Sequence, residues 1–250
     1  MQPVSRVQSV HVGTPRDVIW LNRSMSTSIV KVPVSGLVEV QATGLVGDRQ
    51  ADPAQHGGTD KAVYAYSVED LEWWSDTLRR PVPPASFGEN LTVSGLELTT
   101  AVIGEQWQVG TAVLEVSEPR TPCWKLGMAM GDRLFPRAFA AARRPGVMLR
   151  VLQAGHLQAG DEVVMGHRPS HGVTVAEVFG MYLGDRDVTS RVLGAPELAQ
   201  HWHGWAAHRT VWHVDEERKR SSEEGVLGER AARLRAGGGI RGDKDKGVQA

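Results

Sequence analysis

The stretch "QWQVGTAVLEVSEPRTPCWKL", residues 106–126, decides the fold. Its first half alternates apolar and polar residues on either side of Gly110, as two strands joined by a glycine turn do. Its second half ends that pattern with Pro119 and Pro122 and then delivers Cys123, the single cysteine of the 250-residue chain. Proline can continue neither a central strand nor a helix interior, so the thiol lies in a turn at the end of a strand. Arg120 and Lys125 flank it, and both can stabilise a thiolate. The residues alone leave two readings open: a packed core thiol, or a thiolate kept for chemistry and suited to a soft metal.

Outward from this stretch the strand pattern repeats. "SIVKVPV", "LVEV", "KAVYAYS", "NLTVSGLEL", "GVMLRVLQAG" and "DEVVMG" are short and bounded by glycine turns. Many short strands so joined predict a mainly β protein, a barrel with a few helices, over a parallel α/β sheet. Pro33 marks its strand as an edge or a bulge. A helix starts at Ser67, with Asp70 in capping-box position and Leu71, Trp74 and Leu78 on one face; Pro81 stops it. "GDRLFPRAFAAARR" predicts a second helix. From about residue 170 the grammar changes to three short helices, "VAEVFGMYL" (capped by Thr174 and Glu177), "DVTSRVL" and "PELAQHWHGWAAHR". This segment is too small for a core of its own, so it is expected to dock on the barrel. The organisation expected is therefore a leader at 1–27, a β-barrel at 28–168, a three-helix segment at 170–213, and a charged, disordered tail at 214–250.

Composition narrows the function. Hydrophobic residues make up 41% and charged residues 23%, which permits an ordinary core, and the formal charge of −1 gives no bulk attraction to a nucleic acid polymer or a membrane. A single cysteine excludes an internal disulfide framework, a Cys-only zinc or iron–sulfur site, and a CxxC redox pair. No apolar run approaches the roughly 20 residues of a membrane span. No signal peptide pattern opens the chain either, so a cytoplasmic protein is the expectation. "QHGGTDKA", residues 55–62, can form a turn whose exposed backbone approaches an anion or cofactor, or simply a hairpin turn with solvated charges. "GLVGDRQ", with Asp48 and Arg49, is a similar loop, and "SFGENL" places Glu89 and Asn90 just before a strand. His201, His203, His208 and His213 lack the i, i+4 spacing of helical metal pairs, and packing of Leu198, Trp202, Trp205 and Trp212 is the better reading there.

Taken in order, "GLVGDRQADPAQHGGTDKAVYAYSVEDLEWW", "FGENLTVSGL" and "IGEQWQVGTAVLEVSEPRTPCWKL" resemble the MOSC domain, named for the C-terminus of molybdenum cofactor sulfurase. The helical segment after residue 170 is similar to that of the YiiM-type subgroup. The resemblance implies a β-barrel that binds molybdenum cofactor, a pterin-dithiolene bearing a phosphate, and reduces N-hydroxylated compounds such as hydroxylaminopurine-type bases. It implies that Cys123 ligates molybdenum and that Asp60 is the acid beside the metal. His56, Gly57, Gly58, Lys61, Glu89, Asn90, Arg120 and Lys125 fall in the pocket-building segments. The chain has no flavin-binding or cysteine-rich segment, so electrons must come from a separate flavin or iron–sulfur protein. The expected partners are thus a small N-hydroxylated substrate, that electron donor, and a second copy in a homodimer. Two rival readings stand beside it: a non-catalytic carrier of the cofactor or of sulfur on Cys123, and a metal-free interaction module.

Overall fold

The hairpin expected at Gly110 forms. In the computed structural model, which describes residues 4–52 and 57–206, β9 (Gln106–Val109) and β10 (Ala112–Pro119) pair antiparallel from Val109↔Ala112 to Gln106↔Glu115. Gly110 takes φ +57°, and a Cβ there would lie 2.3 Å from the His156 carbonyl oxygen, so only glycine fits this turn. β10 is the spine of the domain. Its other edge pairs with β11 (Val147–Gln153), which continues to β7 (Val63–Ser67), β8 (Leu91–Ser94), β1 (Arg6–Val12) and β4 (Val32–Val34); β13 (Val163–Met165) flanks β9. The result is an eight-stranded sheet, antiparallel except for the parallel pair β7–β8. β12 (Gly155–Leu157), β5 (Val38–Gln41) and β6 (Gly44–Leu45) form a second small sheet, and β2 (Arg16–Trp20) with β3 (Arg23–Thr27) a separate hairpin.

The mainly β architecture is as expected, but the closed barrel is met only in part. No continuous ladder joins the ends of the eight-stranded sheet among the described residues. An isolated bridge, Arg6↔Glu162, and the hydrogen bonds Val7 N–H to Asp161 O (2.9 Å) and Val163 N–H to Ser5 O (2.8 Å) link β1 to the segment entering β13. Pro33 sits on β4, the outermost strand next to β1, where its missing N–H costs no ladder bond. The expected leader needs correction. Residues 6–27 carry β1, β2 and β3, and β1 lies inside the main sheet between β8 and β4, with Val7 and Val10 in the core. The alternation in "RVQSVHV" was the missed signal. Residues 214–250 lie outside the described residues.

Helices cover one region of the sheet. α1 (Val68–Leu78) starts as expected, with the Asp70 N–H donating to Ser67 Oγ at 3.1 Å, but the Asp70 carboxylate pairs with Arg144 instead of closing the box. α2 (Trp124–Met130) follows Cys123 directly and was not expected. Gly127 permits it, because a Cβ there would sit 2.9 Å from Asp132 O. The helix expected over 131–144 is shorter, α3 (Phe135–Ala142), with proline in its first turn. Trp74, Phe87, Phe135 and Phe139 interlock with Tyr64 and Tyr66 in one aromatic cluster, and the Trp74 indole N–H donates to Tyr66 Oη at 2.9 Å. α4 (Val175–Leu183) has the predicted reciprocal capping box between Thr174 and Glu177, and α5 (Thr189–Leu193) follows. Residues 201–206, in a second unit of the chain that begins at His201, are helical, with Trp202 and Trp205 rings 5.3 Å apart; Trp212, His208 and His213 lie outside the described residues.

Candidate functional site

Neighbouring strands bring residues from distant parts of the sequence to one end of the sheet. At the end of β10, Glu118 is registered with Met148 on β11, and Met148 with Tyr64 on β7. Asn90, just before β8, continues the row. Its N–H donates to Tyr64 O at 2.8 Å, and its own carbonyl accepts the His11 N–H of β1 at 2.7 Å. The Asn90 side chain locks the row again, accepting from Tyr64 N–H at 3.1 Å and donating to His11 O at 3.1 Å. Over this row opens a cleft of about 610 Å³, including its solvent-filled mouth. Lys31, Arg49, Lys61, Tyr64, Asn90, Arg120, Cys123, Lys125 and Met148 line it, with Ser28, Ile29, Gln50, Ala51, Phe87 and Gly88.

The charge of this lining is one-sided. Five cations face the cleft, and no carboxylate or histidine does among the described residues. Two of the cations have internal counter-charges: Lys31 pairs with Asp48, and Lys61 lies 3.7 Å from Glu118. Arg120 is 7% exposed and lies over the Tyr64 and Phe139 rings at 5.7 and 5.4 Å, yet its Nη1 has no hydrogen-bond partner among the described residues. A buried guanidinium N–H without an acceptor costs roughly 1–3 kcal/mol, a cost that an anion beside it would relieve. Cys123 occupies the N-cap position of α2, but its side chain makes no capping bond. The thiol is half-buried and faces the same cleft as Arg120 and Lys125. A soft donor beside a cationic wall suits a metal–dithiolene cofactor bearing a phosphate.

Of the residues picked from sequence, Lys61, Asn90, Arg120, Cys123 and Lys125 meet in the cleft. His56 lies outside the described residues. Gly57 is half-buried and Gly58 exposed, with φ +97° at Gly58, and neither lines the cleft. Glu89 is fully buried below the cleft, accepting the Ala85 and Phe87 N–H groups and the Thr92 hydroxyl; burial raises its pKa. Asp60 also stands outside the lining. Its Oδ1 accepts Arg150 Nε at 2.9 Å and Nη2 at 2.8 Å, and Arg150 Nη1 continues to Glu115 at 2.7 Å. Lys31 and Tyr64 were missed because each reads as part of a strand. Asp48 and Arg49 were noticed only as a glycine-bounded loop.

A sheet-dominated domain with a cationic, thiol-bearing cleft at one end defines the class. The MOSC domain model matches residues 52–164, and the chain belongs to that family, which is associated with molybdenum cofactor. It is 33% identical over 199 residues to the uncharacterized protein YflK of Bacillus subtilis, covering 78% of this chain and 90% of YflK. It is 34% identical over 160 residues to a reductase of Gibberella moniliformis, a match spanning 60% of this chain and 27% of that protein. The crystal structure of YiiM from Geobacillus stearothermophilus superposes with a TM-score of 0.69 at 29% identity, covering 82% of this chain and 98% of YiiM.

Proposed function

We propose that this chain is a molybdenum-cofactor-dependent reductase of N-hydroxylated compounds, supplied with electrons by a separate flavin or iron–sulfur protein. The observation that carries the reading is the buried Arg120, whose Nη1 has no hydrogen-bond partner among the described residues, in the same cleft as the Cys123 thiol. Cys123 would ligate the metal. Arg120 and Lys125 would hold the cofactor phosphate as charge-assisted donors. When bound, the cofactor supplies two-electron reduction, and the protein's part is binding, orientation and proton supply. The Arg120 guanidinium carbon lies over the Tyr64 ring, whose hydroxyl is itself engaged with Pro145 O at 2.9 Å. Membership of the MOSC family and the likeness to a protein named a reductase support this reading.

The absence of a carboxylate or histidine from the described lining favours a second reading, a carrier that holds the cofactor without turnover. Expression in a cofactor-competent host, followed by molybdenum and pterin analysis and a viologen-linked assay with a hydroxylamino base, separates the two. Bound cofactor with turnover supports the reductase. Bound cofactor without turnover supports the carrier, and a metal- and pterin-free preparation refutes both. Cys123→Ala should abolish molybdenum retention; unchanged retention removes Cys123 as the ligand.

A further inference from the structure

Cleavage of an N–O bond needs a proton for the departing oxygen, and Asp60, engaged by Arg150, does not line the cleft. Among the described residues, the candidates are the groups that do. Arginine side chains do not serve as proton donors in proteins, which sets Arg49 and Arg120 aside. Tyr64 donates to Pro145 O, and burial raises its pKa. Cys123 is taken by the metal under the reading above, on which this inference rests. Lys125 lies 5.9 Å from the Trp124 ring and next to the ligand, and Lys61 faces Glu118.

Lys31 differs from these. Its side chain is 8% exposed and paired with Asp48, whose side chain is 1% exposed, yet it lines the cleft. Asp48 is itself fixed, since its Oδ1 also accepts the Gly13 N–H at 2.7 Å, while its buried Oδ2 has no hydrogen-bond partner among the described residues. We propose that Lys31 is the general acid of the site and that Asp48 is its positioning residue, fixing the ammonium of this cleft-lining lysine through their ion pair. The overall reaction is R–NHOH plus two electrons and two protons giving R–NH2 and water. The N–O bond breaks, the Lys31 proton goes to the departing hydroxyl oxygen, and a solvent proton goes to nitrogen. The electrons come from a molybdenum–dithiolene centre recharged by a flavin or iron–sulfur protein. The neutral Lys31 amine regains its proton from solvent beside the Asp48 carboxylate.

The electrostatics agree with this placement. Burial lowers the Lys31 pKa, against the opposing pull of Asp48 and of Glu89, which brings an ammonium closer to working pH, where a general acid is most effective. His11 is kept below its ordinary value by its own burial and by Lys31, so it does not compete as a cation. Among the described residues, the remaining charged side chains of the lining, Arg49, Lys61, Arg120 and Lys125, are all positive.

The test has two readouts on the full chain. The first is NMR titration of lysine ε-amines labelled with 13C and 15N, with Lys31→Arg assigning the Lys31 signal. Lys31 should lose its proton at lower pH than the other lysines, and Asp48→Asn should move it lower still. The second is the pH profile of hydroxylamino-base reduction. The alkaline limb of kcat should follow the Lys31 titration and shift to lower pH in Asp48→Asn. Lys31→Arg, a cation that cannot release its proton, should lose roughly 100-fold or more in kcat with KM little changed. Lys31→Arg within about 3-fold of wild type in kcat, or an alkaline limb unmoved in Asp48→Asn, overturns the proposal. So does Lys31 titrating with the other lysines. A cofactor-loaded wild type that reduces nothing overturns the reductase reading and this inference with it.

Discussion

Arg120 gives the sharpest test of the anion site, because its replacement should separate ligand affinity from stability. Arg120→Met keeps an apolar stem and removes the guanidinium that lies over Tyr64 and Phe139. On the ligand side, a hydrogen bond to a charged group contributes about 1.5–3 kcal/mol, or roughly 10- to 100-fold in Kd. On the stability side two effects oppose. Two cation–π contacts are lost, at about 0.5–1 kcal/mol each, and the orphaned Nη1 donor is relieved, at about 1–3 kcal/mol. They nearly cancel, so unfolding of the cofactor-free chain in urea should shift by no more than about 1 kcal/mol. Calorimetric titration with inorganic phosphate at fixed ionic strength reads the first effect, and pterin content of the protein from a cofactor-competent host reads it again. A Kd for phosphate within about 3-fold of wild type would show that Arg120 is a packing residue and refute the reasoning.

Two further outcomes follow from the row beneath the cleft. Asn90→Ala leaves Tyr64 N–H and His11 C=O without their side-chain partners in a buried place, so urea unfolding should show a loss of about 2–4 kcal/mol. Glu89 binds its proton more tightly folded than unfolded, so the folded state holds the extra proton between the two pKa values. Its contribution is therefore fully present below the ordinary carboxylate value of about 4.3 and is lost as pH rises through the raised folded value. Glu89→Gln should flatten that part of the stability–pH curve, and an unchanged slope in urea melts from pH 4 upward would assign it elsewhere.

The strands were legible because half-buried strands keep a period of two, and the caps at Ser67 and Thr174 because local side-chain bonds carry local signatures. The same logic, applied from residue 28 on, overlooked β1, whose Val7 and Val10 alternate no less clearly. α2 was hidden for a different reason. It has seven residues, two prolines lie just before it and a glycine within it, and it persists because Gly127 lets the next turn pack at close range. Half of the cleft was equally invisible. Lys31, Tyr64 and Asn90 become neighbours only through the pairing of β1, β4, β7 and β8, which no single stretch encodes.

Asp60 shows how a residue's place in an ordered motif can be separated from its chemistry. The glycine loop does deliver it to a 3-10 turn, Thr59–Lys61, beside the site, but its carboxylate meets Arg150, which also binds Glu115 of β10. Ser117 Oγ holds the Asp60 carbonyl as well, so backbone and side chain are both tied to the spine of the sheet. The Asp60 carboxylate is thus directed at Arg150 and does not line the cleft. What that grip provides is position: it fixes the turn that carries Lys61, the next residue, into the cleft wall. Proton supply then falls to a group that faces the cleft and has a counter-charge behind it. Lys31, just before β4 and paired with Asp48, is such a residue in the cleft lining.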